Sequence, residues 1–208
     1  MPLKNSSRLS EAAHEDLKEF SSELINQYVK IPARACRAVD KNHLNLGMRY
    51  AFITDPLMLS GHKNFDVFSI NSYQFNPLEH ISGIGELLDI PVMLGEFHFG
   101  ALDKGLTSHG LRGVKNQKER GAAYRYYVEN GVRSPYFLGA HYFMLNDQSC
   151  IGRFDGENYQ IGLLDICMQE YHEMTRVVTE CNKNIYKVVS GEIDPYDIPA
   201  KQVHAVHC

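Results

Sequence analysis

The sequence predicts an α/β chain whose strands run parallel and are covered by helices. Four short apolar runs end in polar side chains, helices or long loops separate them, and no tight hairpin signal joins any two. Runs such as Phe65 to Ile70 are too uniformly apolar for a sheet wetted on one face, so helices must cover both sides or a barrel must enclose one. Four strands with their helices are half of a (β/α)8 barrel, which takes about 250 residues. This chain has 208 residues, and its pattern is that of a partial TIM-type (β/α)8 barrel.

Taken in order, residues from about Ser10 to Val39 form one long helix, with Leu17, Phe20, Leu24, Tyr28 and Ile31 at three- and four-residue spacing and Pro32 as a kink. The first strand is expected over His43 to Arg49, and Asp55-Pro56 then opens a helical turn. A second strand over Phe65 to Tyr73 turns polar at its end, and Ile81 to Leu88 makes a short helix or loop. The third strand lies in Pro91 to Gly100. A loop rich in Gly, Ser and His follows, through Thr107-Ser108-His109-Gly110, of the kind that closes over a ligand. Asn116 to Asn130 is a helix with Tyr124, Tyr127 and Val128 on one side, stopped by Gly131. The fourth strand, Tyr136 to Phe143, ends in Asn146-Asp147-Gln148; a glycine-punctuated loop through residues 152–159 precedes the last helix, Gln169 to Val189.

Composition excludes several classes. The formal charge of −4 and the lack of a long basic cluster disfavour nucleic acid as a partner. No apolar stretch reaches the roughly 20 residues that span a bilayer, so no membrane partner is expected. The amino-terminal residues contain no signal-peptide core. Cys36, Cys150, Cys167, Cys181 and Cys208 are odd in number and widely spaced, which predicts free, mostly buried thiols rather than a disulfide framework. The histidines include no HExxH pair, and no metal or other cofactor is expected.

The most informative residue is Glu96. The apolar run Pro91-Val92-Met93-Leu94-Gly95 delivers its carboxylate to a rim of Phe97, His98 and Phe99. In barrels of parallel strands, catalytic side chains sit at the carboxyl ends of strands. An exposed strand-end glutamate paired with a nearby Arg or His is the competing structural reading.

Several ordered blocks carry a resemblance: GEFHFGALDKGL, NQKERGAAYRYYVE, FLGAHYFMLNDQ and GRFDGENYQIGLLDI, preceded by Ala38 to Gly47. Over about Asp16 to Val178 the chain resembles the carboxyl-terminal half of the catalytic domain of glycoside hydrolase family 50, the β-agarases. The resemblance implies a (β/α)8 barrel that hydrolyses β-1,4 galactosidic bonds of agarose with retention. It makes the four strands here the fifth to the eighth, assigns residues 1–183 to the barrel and leaves 184–208 as a carboxyl-terminal extension. Glu96 then takes the position of the nucleophile. A retaining enzyme needs a carboxylate about 5 to 5.5 Å from a protonated partner carboxyl.

On the same resemblance Tyr73 contacts the nucleophile; Arg49 and His141, near strand ends, can donate to carboxylate or sugar hydroxyls, and His98, Asp155, Glu157 and Asn158 complete the substrate-binding residues, the polar groups of the Glu157 loop serving as sugar contacts or loop locks. His141 stands where many related barrels place a tryptophan, and this sequence has no tryptophan. A stacking platform for galactose must then come from Tyr142, Phe97, Phe99, Phe154 or Tyr159. The family's acid/base glutamate follows an asparagine at the end of the fourth strand. No such Asn-Glu pair precedes the first helix here, and Glu11, Glu15, Asp16, Glu19 and Glu23 lie in charged helical context.

The expected partners are therefore an agarose-type galactan and a separate amino-terminal barrel half, with self-association of the isolated chain. Relatives acting on an extracellular polymer are expected to be exported. A non-catalytic carbohydrate-binding or scaffold remnant of such a barrel is the alternative.

Overall fold

The computed structural model describes residues 9–204, so His207 and Cys208 lie outside the described residues. The chain divides into two compact units, one up to Ser69 and one from Ile70 onward.

The first unit is built on α1 (Glu11–Val39), whose N-cap Ser10 accepts a hydrogen bond from the Ala13 N–H at 3.3 Å. The helix is continuous through Pro32. Two 3₁₀ turns, Pro56–Leu59 and His62–Asn64, pack against it, and the Ser22 and Ser60 hydroxyls meet at 2.9 Å. Asp55 opens the first turn as expected, its carboxylate accepting from the Leu57 N–H at 2.8 Å. The apolar stripe of α1 is not core: Phe20, Leu24, Tyr28 and Ile31 are 58–67% exposed, whereas Val29 and Ala33 are buried.

The strand expected over His43 to Arg49 does not form. The Asp66 carboxylate, ion-paired with Arg37, accepts from the Asn45 N–H at 2.7 Å, and the Asn45 side chain accepts from the Gly47 N–H at 2.9 Å. Gly47 takes φ +72, which breaks an extended run. The backbone rejoins a neighbour at Tyr50, whose N–H donates to the Ser69 carbonyl at 3.1 Å and whose ring stacks on Phe68 at 4.6 Å. The sequence pattern thus overcounted the strands: among the described residues three form, not four.

Those three make one sheet in the order β1-β2-β3, with β1 at Phe68–Asn71, β2 at Val92–Phe97 and β3 at Phe137–Tyr142. β2 and β3 are parallel, with Leu94 opposite Ala140 and Phe97 opposite Tyr142. Val92, Leu94 and Phe97 of β2 are buried, as a strand covered on both faces requires.

Within the second unit, α2 (Leu78–Leu88) and α3 (Gln117–Gly131) connect the strands, and α4 (His172–Val189) packs on α3. Asn116 caps α3 by accepting from the Glu119 N–H at 3.0 Å. Tyr124, Tyr127 and Val128 face inward as their spacing predicts, and Phe97 stacks on Tyr127 with ring centres 4.1 Å apart. Phe97 and Phe99 are therefore core residues, which removes both from the possible sugar platforms. The thiols also differ from expectation: Cys181 is buried, but Cys36, Cys150 and Cys167 are exposed. The helix α4 runs past residue 184 without a break.

Gly85 of α2 sits against Tyr136, where a Cβ would come within 2.1 Å of the ring. Gly85→Ala is expected to destabilise the chain by roughly 1–2 kcal/mol, because overpacking outweighs the about 1 kcal/mol that alanine gains in helix propensity. A melting temperature at or above that of the parent would show that Tyr136 moves aside without cost.

Candidate active site

The ends of β1 and β2 bring two side chains together. The Ser72 N–H donates to the Glu96 carbonyl at 3.0 Å, which aligns the two strand ends. One residue on, the Tyr73 hydroxyl donates to Oε1 of Glu96. Tyr127 of α3 fixes the same corner from below, its hydroxyl donating to the Ser72 carbonyl at 2.7 Å. Both Tyr73 and Glu96 are half-buried, so the pair is held yet reachable.

His98 follows two residues after Glu96 and packs edge-on against Tyr73, with ring centres 4.8 Å apart. It is 2% exposed. Its Nε2 accepts from the Leu111 N–H at 2.9 Å, which places the imidazole proton on Nδ1. Tyr159 and Phe143 border the same ring at 5.9 and 6.3 Å. Burial, followed by the nearby charges of Arg120, His109 and Arg112, pushes the His98 pKa down to about 3. His98 is thus a neutral anchor for the loop as well as a candidate sugar contact.

The sign of the resulting pH dependence follows directly. An unfolded His98 takes a proton near pH 6.5, whereas the folded one resists until about pH 3. Stability should therefore fall as pH drops through that window, at up to about 1.4 kcal/mol per pH unit. Asp147 opposes this trend, because burial raises its carboxyl pKa against the Tyr171 and Gly162 hydrogen bonds. Comparing His98→Gln with the parent isolates the histidine, since glutamine can accept from Leu111 without titrating. Equal slopes between pH 6.5 and 4 would refute the assignment.

The loop after β2 folds back over this corner. The Gly100 N–H donates to the Arg112 carbonyl at 2.9 Å, and the Arg112 Nε donates to the Tyr73 carbonyl. The guanidinium of Arg112 also lies 5.9 Å from the Phe75 ring centre.

Beneath the corner Arg120 is fully buried. It donates to the Phe99 carbonyl at 2.6 Å, the Gln117 side chain at 2.5 Å, the Tyr142 hydroxyl at 3.1 Å and the Gly162 carbonyl at 2.7 Å. Asp147 accepts from the Tyr171 hydroxyl at 2.6 Å and the Gly162 N–H at 2.7 Å, extending the frame to the loop after β3.

The other expected residues are distributed as follows. Arg49 lies in the first unit, just before Tyr50. His141 is exposed on β3. Asp155 and Glu157 bind Arg153 at 2.5 and 2.9 Å, and Glu157 accepts from the Gln148 side chain at 2.9 Å. The Arg153 guanidinium beside Asp155 lowers the pKa of that carboxyl below its usual value. Asn158 donates to the Thr107 hydroxyl at 2.8 Å, joining the two loops. Their contacts are those of loop closure. Of the aromatic rim, Tyr159 is half-buried beside His98, Tyr142 is tied to Arg120 and Phe99, and Phe154 is fully exposed. Sequence reasoning missed Arg112, Arg120 and Tyr171.

No family model matches the chain. It is 33% identical to beta-agarase B of Vibrio sp. (strain JT0107) over 185 residues, which is 86% of this chain and 19% of that protein. Among solved structures it is similar to an exo-beta-agarase, with TM-score 0.81 and 34% identity over 88% of this chain and 25% of the other. PfGH50B gives TM-score 0.78 and 30% identity, covering 86% of this chain and 26% of its own. The chain thus spans about a fifth to a quarter of the length of these relatives. With likeness of sequence and likeness of structure both falling on agarases, the chain is similar to a part of the β-agarases of glycoside hydrolase family 50.

Proposed function

We propose that this chain supplies the nucleophile side of a retaining agarase site, with Glu96 attacking the anomeric carbon of a galactose unit in agarose. The observation behind this reading is the Tyr73–Glu96 hydrogen bond at adjoining strand ends. In a retaining reaction the carboxylate forms a glycosyl ester as the leaving oxygen takes a proton, and water then cleaves that ester. Tyr73 orients the carboxylate, while His98, His141, Asp155, Glu157, Asn158 and Arg49 are the proposed sugar contacts or their supports.

On this reading β1, β2 and β3 are the sixth to eighth strands of a (β/α)8 barrel, residues 1–183 are its carboxyl-terminal part and 184–208 an extension. The acid/base carboxyl comes from the fourth strand of an amino-terminal part, which also gives β3 its missing neighbour.

A positioned general acid contributes on the order of 10²–10⁴-fold, and an unactivated sugar leaving group needs one. The purified chain alone should release no oligosaccharide from agarose. Adding a separately expressed amino-terminal barrel part from a full-length relative should restore cleavage. Efficient cleavage by this chain alone would overturn the division of the site.

A further inference from the structure

The carboxyl-terminal segment returns to the loop that borders Glu96. Beyond α4, residues 191–202 form neither helix nor strand, yet they are pinned at two points. At the first, the Tyr196 N–H donates to Oε2 of the buried Glu129 at 2.7 Å, and the Asn130 side chain donates to the Tyr196 carbonyl at 3.0 Å. Arg125, itself bound to Glu129 at 2.7 Å, lies 5.1 Å from the Tyr196 ring centre. At the second, the Val203 N–H donates to the Gly113 carbonyl at 2.8 Å.

Glu129 and Asn130 are at the end of α3, and Gly113 lies just before its start. An α3 of this length spans about 22 Å at 1.5 Å per residue. Seven extended residues from Tyr196 to Val203 reach at most about 25 Å. Seven residues are therefore long enough to run along α3 toward the loop at its amino-terminal end.

Gly113 lies between two residues that matter to the site. On one side the Arg112 carbonyl accepts from the Gly100 N–H, and the Arg112 Nε donates to the Tyr73 carbonyl. On the other, the Val114 N–H donates to the Gly100 carbonyl at 2.9 Å. We propose that Arg112 is a positioning residue for the Tyr73–Glu96 pair, and that the segment from Tyr196 to Val203 is a strap holding the Arg112 loop in register. This inference rests on the reading of Glu96 as a nucleophile only for its kinetic consequence. The mechanical link itself is independent of the reaction.

The test uses Val203→Pro, which deletes the N–H that donates to Gly113, together with Arg112→Leu and Arg112→Lys in the full chain. Hydrogen exchange read by mass spectrometry should be roughly fivefold faster over residues 111–114 in Val203→Pro, the loss expected for one hydrogen bond, with α4 unchanged. Arg112→Leu should raise exchange over residues 72–76, and Arg112→Lys should restore part of the protection. With an aryl 2-deoxy-2-fluoro-β-galactoside as covalent probe, both Val203→Pro and Arg112→Leu should slow the capture step at Glu96 while leaving the probe's binding constant unchanged. Unchanged exchange over 111–114 in Val203→Pro would overturn the strap, and unchanged exchange over 72–76 in Arg112→Leu would overturn the positioning role. If the parent chain takes no label, the nucleophile reading falls and the two exchange measurements still decide this one.

Discussion

Glu96→Gln is expected to abolish covalent capture of an activated galactoside and any agarose cleavage rescued by an added amino-terminal barrel part. The amide is nearly isosteric with the carboxylate and keeps an oxygen where the Tyr73 hydroxyl donates, so the local fold should survive. What it lacks is a carboxylate oxygen able to form the glycosyl ester. An aryl leaving group that departs without protonation makes the measurement independent of the missing acid. Intact-protein mass spectrometry should show one added glycosyl group on the parent chain and none on Glu96→Gln. Tyr73→Phe keeps the ring against His98 but removes the donor, and should slow labelling roughly 10- to 100-fold, the range for a hydrogen bond to a charged group. Labelling of Glu96→Gln at the parent rate would place the nucleophile elsewhere.

Arg120→Met should have the largest effect on stability. Methionine fills much of the buried volume but takes the Arg120 donor from the Gln117 side-chain oxygen and the Gly162 carbonyl, while the Phe99 carbonyl keeps the Tyr142 hydroxyl and that hydroxyl keeps the Phe99 N–H. Leaving buried acceptors unsatisfied costs about 1–3 kcal/mol each before relaxation, so a net loss of roughly 4 kcal/mol is expected. For a chain of this size that is a fall of about 10 °C in melting temperature. Arg120→Lys should be intermediate, since one ammonium cannot span acceptors arranged around a planar fork. A drop of less than about 2 °C for Arg120→Met would mean that this frame is not what holds the loops.

The sequence made the site's centre legible because strand chemistry is local. An apolar run that stops at Glu96, and another that stops before Tyr73, are enough to put both at strand ends. The 43–49 segment misled because its side chains resemble a short strand. Its path is instead set by Asp66 capturing the Asn45 N–H and by the left-handed Gly47, contacts that pattern does not contain. Arg120 was invisible for a related reason. A charged residue inside NQKERGAAYRYYVE reads as a wetted helix face, and only the tertiary fold surrounds it with oxygens. In α1 the three- and four-residue spacing matches the helix that forms, but Phe20, Leu24, Tyr28 and Ile31 of its apolar stripe are exposed.

The bonds around Arg120 and those around Arg153 differ in their response to ionic strength. Arg120 is closed off from solvent and its hydrogen-bonding partners are carbonyl, amide and hydroxyl oxygens, so dissolved ions have little access to that frame. The loop around Asp155 and Glu157 is closed by exposed pairs to Arg153, within reach of a screening atmosphere that contracts from about 8 Å at 0.15 M to about 3 Å at 1 M salt. Raising the salt concentration therefore loosens the loop closed by Arg153 while the Arg120 frame stays fixed, which makes the electrolyte a selective control over loop mobility.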